Sequence, residues 1–149
     1  MTAPAQTPEE GDSGLVFESL EAFVSEYLTE ILRRPVDGQR FAWCAEWWRH
    51  PEAIVRFAGM WRSFEYLRLD VSMGMSNWWL HHADPHLAVL MDAYRGPFVH
   101  CTGPQGHQEA YGPLPHSPVP PGVLDLPAFS LAAADAEQAA QADAGTRQA

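Results

Sequence analysis

Residues 17–35, FESLEAFVSEYLTEILRRP, decide the class of fold. Their apolar side chains recur at three- and four-residue spacings, which is the period of an amphipathic α-helix with one buried face. Glutamates occupy the other face, two arginines follow at the negative end of the helix dipole, and Pro35 prevents the helix from continuing. The stretch predicts a first helix with these buried positions: Phe17, Leu20, Phe23, Val24, Tyr27, Leu28, Ile31 and Leu32.

Helical signals recur further along the chain. Residues 41–50, FAWCAEWWRH, place two tryptophans one turn apart and predict a short second helix. Pro51 suits the first turn of a third helix, and Ser76 and Asp84 offer caps for a fourth and a fifth. Residues 98–101 favour a short extended piece. We therefore expect an all-α fold, a small bundle of about five short helices with an irregular Pro-rich C-terminal arm.

Composition divides the 149 residues into three parts within a single domain. Residues 1–14 are polar and acidic, which predicts a disordered leader. Residues 15–123 form the helical domain, which ends in a loop rich in proline and glycine that we expect to wrap the helices. Residues 124–149 are rich in alanine without an apolar stripe, which predicts a disordered tail.

Charge and hydropathy exclude several classes of protein. Nineteen acidic residues outnumber nine basic residues, all of them arginine, and the net charge is −10. This sign disfavours a nucleic-acid partner, because basic residues supply most of the affinity for phosphates. No apolar run approaches the ~20 residues of a membrane span, and the N-terminus lacks the parts of a secretory signal. We expect a cytoplasmic protein without a membrane partner.

Seven histidines and two cysteines suggest a zinc site, because imidazole and thiolate are the usual ligands of structural zinc. The predicted ligands are Cys44, Cys101 and His107, with His82 or His86 as the fourth. Glycines around residues 103–106 would let the chain wrap around the ion. The alternative is that both cysteines are buried thiols and that the histidines are surface or satisfied core groups. No CxxC or HExxH motif is present to decide between the two.

Six tryptophans are a large number for a small core. Each of the two doublets points in two directions if it is helical, so one member of each is expected near the surface. Exposed aromatic side chains beside arginine are typical of protein–protein contacts. The predicted interaction residues are Trp47, Trp48, Arg49, Trp78 and Trp79.

No recognised catalytic motif is present, including the glycine-rich nucleotide loops and the GxSxG elbow. We therefore expect a non-enzymatic binding module for an unidentified protein partner, stabilised by zinc. One alternative is a zinc-dependent hydrolase or nuclease with Glu46 or Asp84 as general base. The other is a nucleic-acid-binding protein, which requires that four arginines share one face. Those arginines are Arg49, Arg56, Arg62 and Arg68.

Several linked motifs resemble those of an actinobacterial and phage family, domain-of-unknown-function family 4913. They are WC at residues 43–44, WWRHPEA at 47–53, MWRSFEYLRLD at 60–70, GMSNWWLHHADPHLAVL at 74–90 and GPFVHC at 96–101. The resemblance covers about residues 17–122. It implies a small, intracellular, mostly helical protein of actinobacteria, their plasmids and their phages. It also supports the metal hypothesis, because the family pattern includes matches at Cys44, His50, Asp84, His86, Cys101 and His107.

Overall fold

The computed structural model describes residues 14–109 and 111–146, and within these residues the fold is helical with no β-strand. The predicted leader lies outside the described residues, except for Gly14. The described chain falls into two units, which divide between Gly112 and Pro113. The helical elements are α1 (Leu20–Ala22, the π-helical segment Phe23–Leu28, and Thr29–Ile31), the 3-10 turn Trp47–Arg49, α2 (Pro51–Leu67), α3 (Gly74–Trp78, the π-helical segment Trp79–Ala83, and Asp84–Leu90), the 3-10 turn Pro127–Phe129, and α4 (Leu131–Thr146).

Helix α1 confirms the first predicted helix. The Ser19 hydroxyl accepts the backbone N–H of Ala22 at 3.1 Å and so satisfies one of the free donors at the helix start. Phe23, Val24 and Leu28 are fully buried, as the apolar stripe predicts. The helix ends at Ile31, and the next residue is already extended, three positions before Pro35.

Helix α2 begins with proline in its first turn, as predicted, and has 17 residues. Ala53, Phe57, Met60 and Phe64 form its buried face. Glu65 is also buried, and its carboxylate accepts the backbone N–H groups of residues 16 and 17 at 3.1 and 2.8 Å. This carboxylate therefore attaches the segment before α1 to α2.

Two predicted helices are joined in one continuous helix, α3. Asp84 has helical dihedral angles and makes no capping hydrogen bond, so the prediction that it starts a separate helix is wrong. A proline ring clashes with the carbonyl four residues earlier in a regular α-helix, and the carbonyl that precedes Pro85 by four lies in the π-helical segment. The wider turn there lets the helix pass through the proline.

Two other local predictions also differ from the structure. Residues 41–50 are mostly irregular and contain only the 3-10 turn, and their tryptophans pack against Phe57 of α2 and against Phe98. Residues 98–101 form turns, with Phe98 fully buried. Among residues 14–109 the structure therefore has three helices rather than the five expected, and long irregular segments complete this part of the chain.

Aromatic rings form the centre of the core where the three helices meet. Trp78 of α3 is fully buried, and its ring lies 5.4 Å from that of Phe64 and 6.2 Å from that of Phe23. Its indole N–H donates to the Met60 carbonyl at 2.9 Å. One side chain thus links all three helices by packing and one hydrogen bond.

The C-terminal unit contains the helix α4, Leu131–Thr146, within the segment that the sequence predicts to be disordered. The reason is composition, since alanine has the highest helix propensity of any residue and residues 131–146 contain no proline. The predicted arm around the helices concerns how the two units are arranged, and it stays a prediction. Within the described chain, no helix combines the length and apolarity that crossing a bilayer requires.

Candidate metal centre

Four side chains that could bind a metal ion meet at one end of the N-terminal unit: Cys44, His50, Cys101 and His107. Their ligand atoms all lie within 4.8 Å of one another. Both cysteines and His50 are buried, and His107 is half-buried. The four residues come from two segments, one between α1 and α2 and one after α3.

Four of the six distances between the ligand atoms lie within about 0.5 Å of the values in a tetrahedral site. His107 Nδ1 lies 3.5 Å from Cys44 Sγ and 3.0 Å from His50 Nε2. Cys101 Sγ lies 3.4 Å from His50 Nε2 and 4.0 Å from His107 Nδ1. Around a tetrahedral zinc ion, sulfur and nitrogen ligands are about 3.5 Å apart and two nitrogens about 3.3 Å apart. The four ligand atoms are therefore close enough together to hold one metal ion.

The fold itself brings the two segments together. The backbone N–H of Trp43 donates to the Thr102 hydroxyl at 3.2 Å, which places the neighbouring Cys44 and Cys101 side by side. Gly106 adopts a φ of +72°, a conformation that glycine tolerates at low cost. The chain turns there, and His107 follows directly.

His50 stands at the N-terminus of α2 and makes no capping hydrogen bond. The residue before a proline is held in an extended conformation, and His50 has φ −106° and ψ 106°. Its ring packs edge-on against Phe98, with the ring centres 5.0 Å apart. Pro51 and Phe98 therefore fix the direction in which the His50 imidazole points.

Backbone amides next to both cysteines donate toward the sulfur atoms. The N–H of Gln108 lies 3.5 Å from Cys101 Sγ, and the N–H of Glu46 bonds to the Cys44 sulfur. Such outer contacts orient metal ligands and stabilise the thiolate form that binds a metal. The His107 Nε2 is buried without a hydrogen-bond partner among the described residues, so the contacts of Nδ1 and ring packing hold this ring.

Burial governs the protonation of the centre when no cation is bound. Burial, together with the hydrogen bond to Cys101, raises the pKa of the Cys44 thiol to about 11. Burial and the neighbouring His107 lower the pKa of His50. The metal-free centre therefore holds a protonated Cys44 and a neutral His50 at pH 7. A cation reverses the preference at Cys44, because its charge stabilises the thiolate and releases the proton.

The structure brings together three of the predicted ligands, Cys44, Cys101 and His107, but neither His82 nor His86. Both of these histidines lie on α3. His86 Nδ1 is 3.2 Å from a guanidinium nitrogen of Arg56, and burial lowers its pKa. The fourth member of the group is His50.

The spacing of the histidines and cysteines does not identify His50 as a ligand, although the family resemblance includes this residue. The sequence does indicate that His50 has an extended backbone, because it lies directly before Pro51 and so does not continue a preceding helix.

The model of the family described as Domain of unknown function (DUF4913) matches residues 17–120. The chain belongs to this family. The matched region contains all four members of the Cys/His group and ends before α4. No curated protein matches the sequence, and no solved structure matches it.

The predicted interaction residues of this DUF4913 domain differ in accessibility. Trp48 is 55% exposed, whereas Trp47 and Trp79 are half-buried. Trp78 lies in the core, so it cannot contact a partner in this fold. Arg49 forms an ion pair with Glu46 at 3.3 Å. Of the two doublets, only residues 47–48 present a largely exposed indole ring.

The arginines that the nucleic-acid alternative requires are mostly paired with acids. Each pair joins neighbours on one local segment: Arg49–Glu46, Arg56–Glu52 and Arg68–Glu65, at 3.3, 2.8 and 2.6 Å. Acids interleaved with the arginines reduce the positive potential that phosphate binding needs. This arrangement speaks against nucleic-acid binding through these residues.

Proposed function

We propose that this DUF4913 domain is a non-enzymatic module that binds a protein partner and that a zinc ion stabilises its fold. The closed set of two thiols and two imidazoles carries the zinc part of the proposal. Two sulfur and two nitrogen ligands in a tetrahedron are typical of structural zinc. Mg²⁺ and Ca²⁺ prefer oxygen ligands, and the group contains none.

A hydrolytic role for the ion is disfavoured by the number of ligands. A catalytic zinc keeps one position open for water or substrate, whereas this group supplies four protein ligands. Glu46, one of the two proposed general bases, pairs with Arg49 through its carboxylate. Asp84, the other, belongs to α3, which contributes no side chain to the group. The ligand set is therefore that of a structural ion.

The exposed ring of Trp48 supports the binding part of the proposal, because large exposed aromatic rings are more frequent at interfaces than elsewhere on protein surfaces. The same proposal includes a cytoplasmic location. It also includes an origin in actinobacteria, their plasmids or their phages, as part of a mobile-element or host accessory system. The resemblance supports the origin.

Elemental analysis of the purified full chain tests the zinc site. We expect one equivalent of zinc that resists dialysis, and its loss in Cys101→Ser and in His50→Ala. His82→Ala and His86→Ala are matched controls, since neither residue belongs to the group, and both should retain zinc. Full zinc in His50→Ala together with loss in His86→Ala would contradict the ligand set. A parent chain that binds no zinc would refute the site.

Cobalt substitution separates loss of the ligand from loss of the fold. The parent chain with Co²⁺ should show the intense visible absorption of a tetrahedral ion and a thiolate-to-metal charge-transfer band. Circular dichroism of the same variants reports whether helices α1 to α3 persist. A helical Cys101→Ser chain without the cobalt spectrum supports the site, whereas an octahedral spectrum in the parent would contradict it.

A further inference from the structure

A groove of about 520 Å³ opens between α1 and the segment that carries Cys44. Its volume lies within the range of ~300–1,000 Å³ that is typical of ligand pockets. Three of its lining residues belong to α1, and three others are tryptophans of the later segment, Trp43, Trp47 and Trp48. The groove is thus separate from the space enclosed by the Cys/His group.

The α1 wall offers negative charge and hydrogen-bond acceptors. Glu21, Ser25 and Thr29 follow one another at four-residue spacing and all line the groove. The Ser25 and Thr29 hydroxyls donate to the carbonyls of residues 21 and 25, both at 2.8 Å, so their oxygens remain as acceptors. Glu21 forms no ion pair with any described residue, and no basic residue lines the groove.

The tryptophan wall offers aromatic faces to a guest. The rings of Trp47 and Trp48 are nearly perpendicular, at 83°, with their centres 6.0 Å apart. None of the three lining tryptophans donates its indole N–H within the described structure, whereas Trp61 and Trp78 both do. The negative face of an indole ring attracts a cation within about 6 Å of its centre. Aromatic residues and a glutamate thus line the same groove, and this combination suits a flat cation.

We infer that this groove binds the guanidinium group of an arginine side chain in the protein partner. The inference rests on the proposed binding function and names the chemistry of the partner at that site. A planar guanidinium stacks on an indole face and donates to a carboxylate at the same time, which an ammonium group does less well. The net charge of −10 favours a basic partner as well.

The first fourteen residues of this chain are a poor occupant of the groove, because they contain three acids and no base.

The metal centre contributes to the groove indirectly. Cys44 and His50 bracket the segment that carries Trp47 and Trp48, so a bound ion holds this wall in place at two points. Preorganisation of that kind lowers the entropy cost of binding a guest.

NMR titration of the full zinc-loaded chain tests the inference. The probe is a short peptide with blocked ends and one central arginine, and the matched probe carries neutral citrulline, which has nearly the same shape. We expect the arginine peptide to shift the indole N–H signals of Trp43, Trp47 and Trp48 but not that of Trp78. The citrulline peptide should bind much more weakly. Equal shifts with both probes, or no shift with either, would overturn the inference.

Two variants connect the binding to the groove. Glu21→Gln should weaken arginine binding about three-fold, as expected for an exposed ion pair, and Trp48→Ala about five-fold. Glu26→Gln is the matched control, because Glu26 is exposed on the same helix but does not line the groove. Equal losses in Glu21→Gln and Glu26→Gln would show a general charge effect and refute the site.

Zinc content measured on each titrated sample keeps the two proposals apart. A chain that holds zinc but does not distinguish arginine from citrulline contradicts this inference and leaves the zinc site standing. Sedimentation velocity on the parent and on Trp48→Ala tests whether a second copy of the chain occupies the groove. A dimer that dissociates in Trp48→Ala would show that a second copy of the chain fills the groove, which would overturn the inference.

Discussion

Removal of the metal should lower thermal stability by an amount that the ligand spacing sets. The two cysteines, like the two histidines, come from segments 57 residues apart in the sequence. An unfolded chain must close a loop of this length before both segments can bind one ion, which costs about 4 kcal/mol. Binding of the ion to the folded chain does not include this loop-closure free energy, because hydrogen bonds such as Trp43 to Thr102 already hold the segments together.

A metal stabilises a fold by the difference between its binding free energies to the folded and the unfolded chain. We therefore expect the zinc-saturated chain to exceed the chelated chain by about 4 kcal/mol in free energy of unfolding. For a domain of this size, that difference corresponds to about 15 °C in Tm.

Thermal unfolding followed by circular dichroism, with saturating zinc and with a chelator, measures this difference. The double variant Cys44→Ser with Cys101→Ser should show the same Tm under both conditions, whereas His82→Ala should respond as the parent does. A parent chain whose Tm changes by less than about 3 °C would refute the reasoning, because the ion would then cross-link nothing that folding brings together.

Three further variants test the packing and the buried carboxylate. Burial alone would raise the pKa of Glu65, but two backbone N–H groups and an arginine outweigh it and lower the pKa below the ordinary value of a glutamate. Glu65→Gln should therefore cost about 1–2 kcal/mol at pH 7, and the deficit should disappear as the pH falls through that lowered pKa. A deficit in urea unfolding that persists in acid would contradict the charge argument. Trp78→Phe should cost about 2–3 kcal/mol in the same assay, because it removes a fully buried ring and its hydrogen bond. Gly74→Ala should cost more than about 3 kcal/mol, since a Cβ there would lie 1.8 Å from a backbone carbonyl oxygen of α2. Gly103→Ala meets nothing within 4 Å and should be neutral; equal effects of the two glycine changes would argue against the close approach.

The helices that the sequence predicts well are those whose signals are local. The apolar stripe of α1 and the proline at the start of α2 depend on neighbours within one or two turns. The Asp84-Pro85 pair is a local signal too, yet it predicts a helix start where α3 runs through. A π-helical turn relieves the proline clash, and no pattern of residue types indicates it.

The sequence predicted three of the four members of the Cys/His group. Neutral imidazole and thiolate in a small domain indicate zinc, and Cys44, Cys101 and His107 do lie together. Only the tertiary structure identifies the fourth member, because His86 and His50 are chemically equivalent as ligands. Packing places His86 against Arg56 and turns His50 toward the sulfur atoms.

The sequence by itself determined that this chain is helical, that its net charge is −10, and that zinc ligands are available. These properties follow from spacing and residue type. Only the tertiary structure decided which four ligands meet and which tryptophans line a groove beside a carboxylate. The ligand contacts join residues more than fifty positions apart, and the groove joins α1 to a later segment of the chain. The interaction of separate segments is set by packing of the whole core rather than by any local preference.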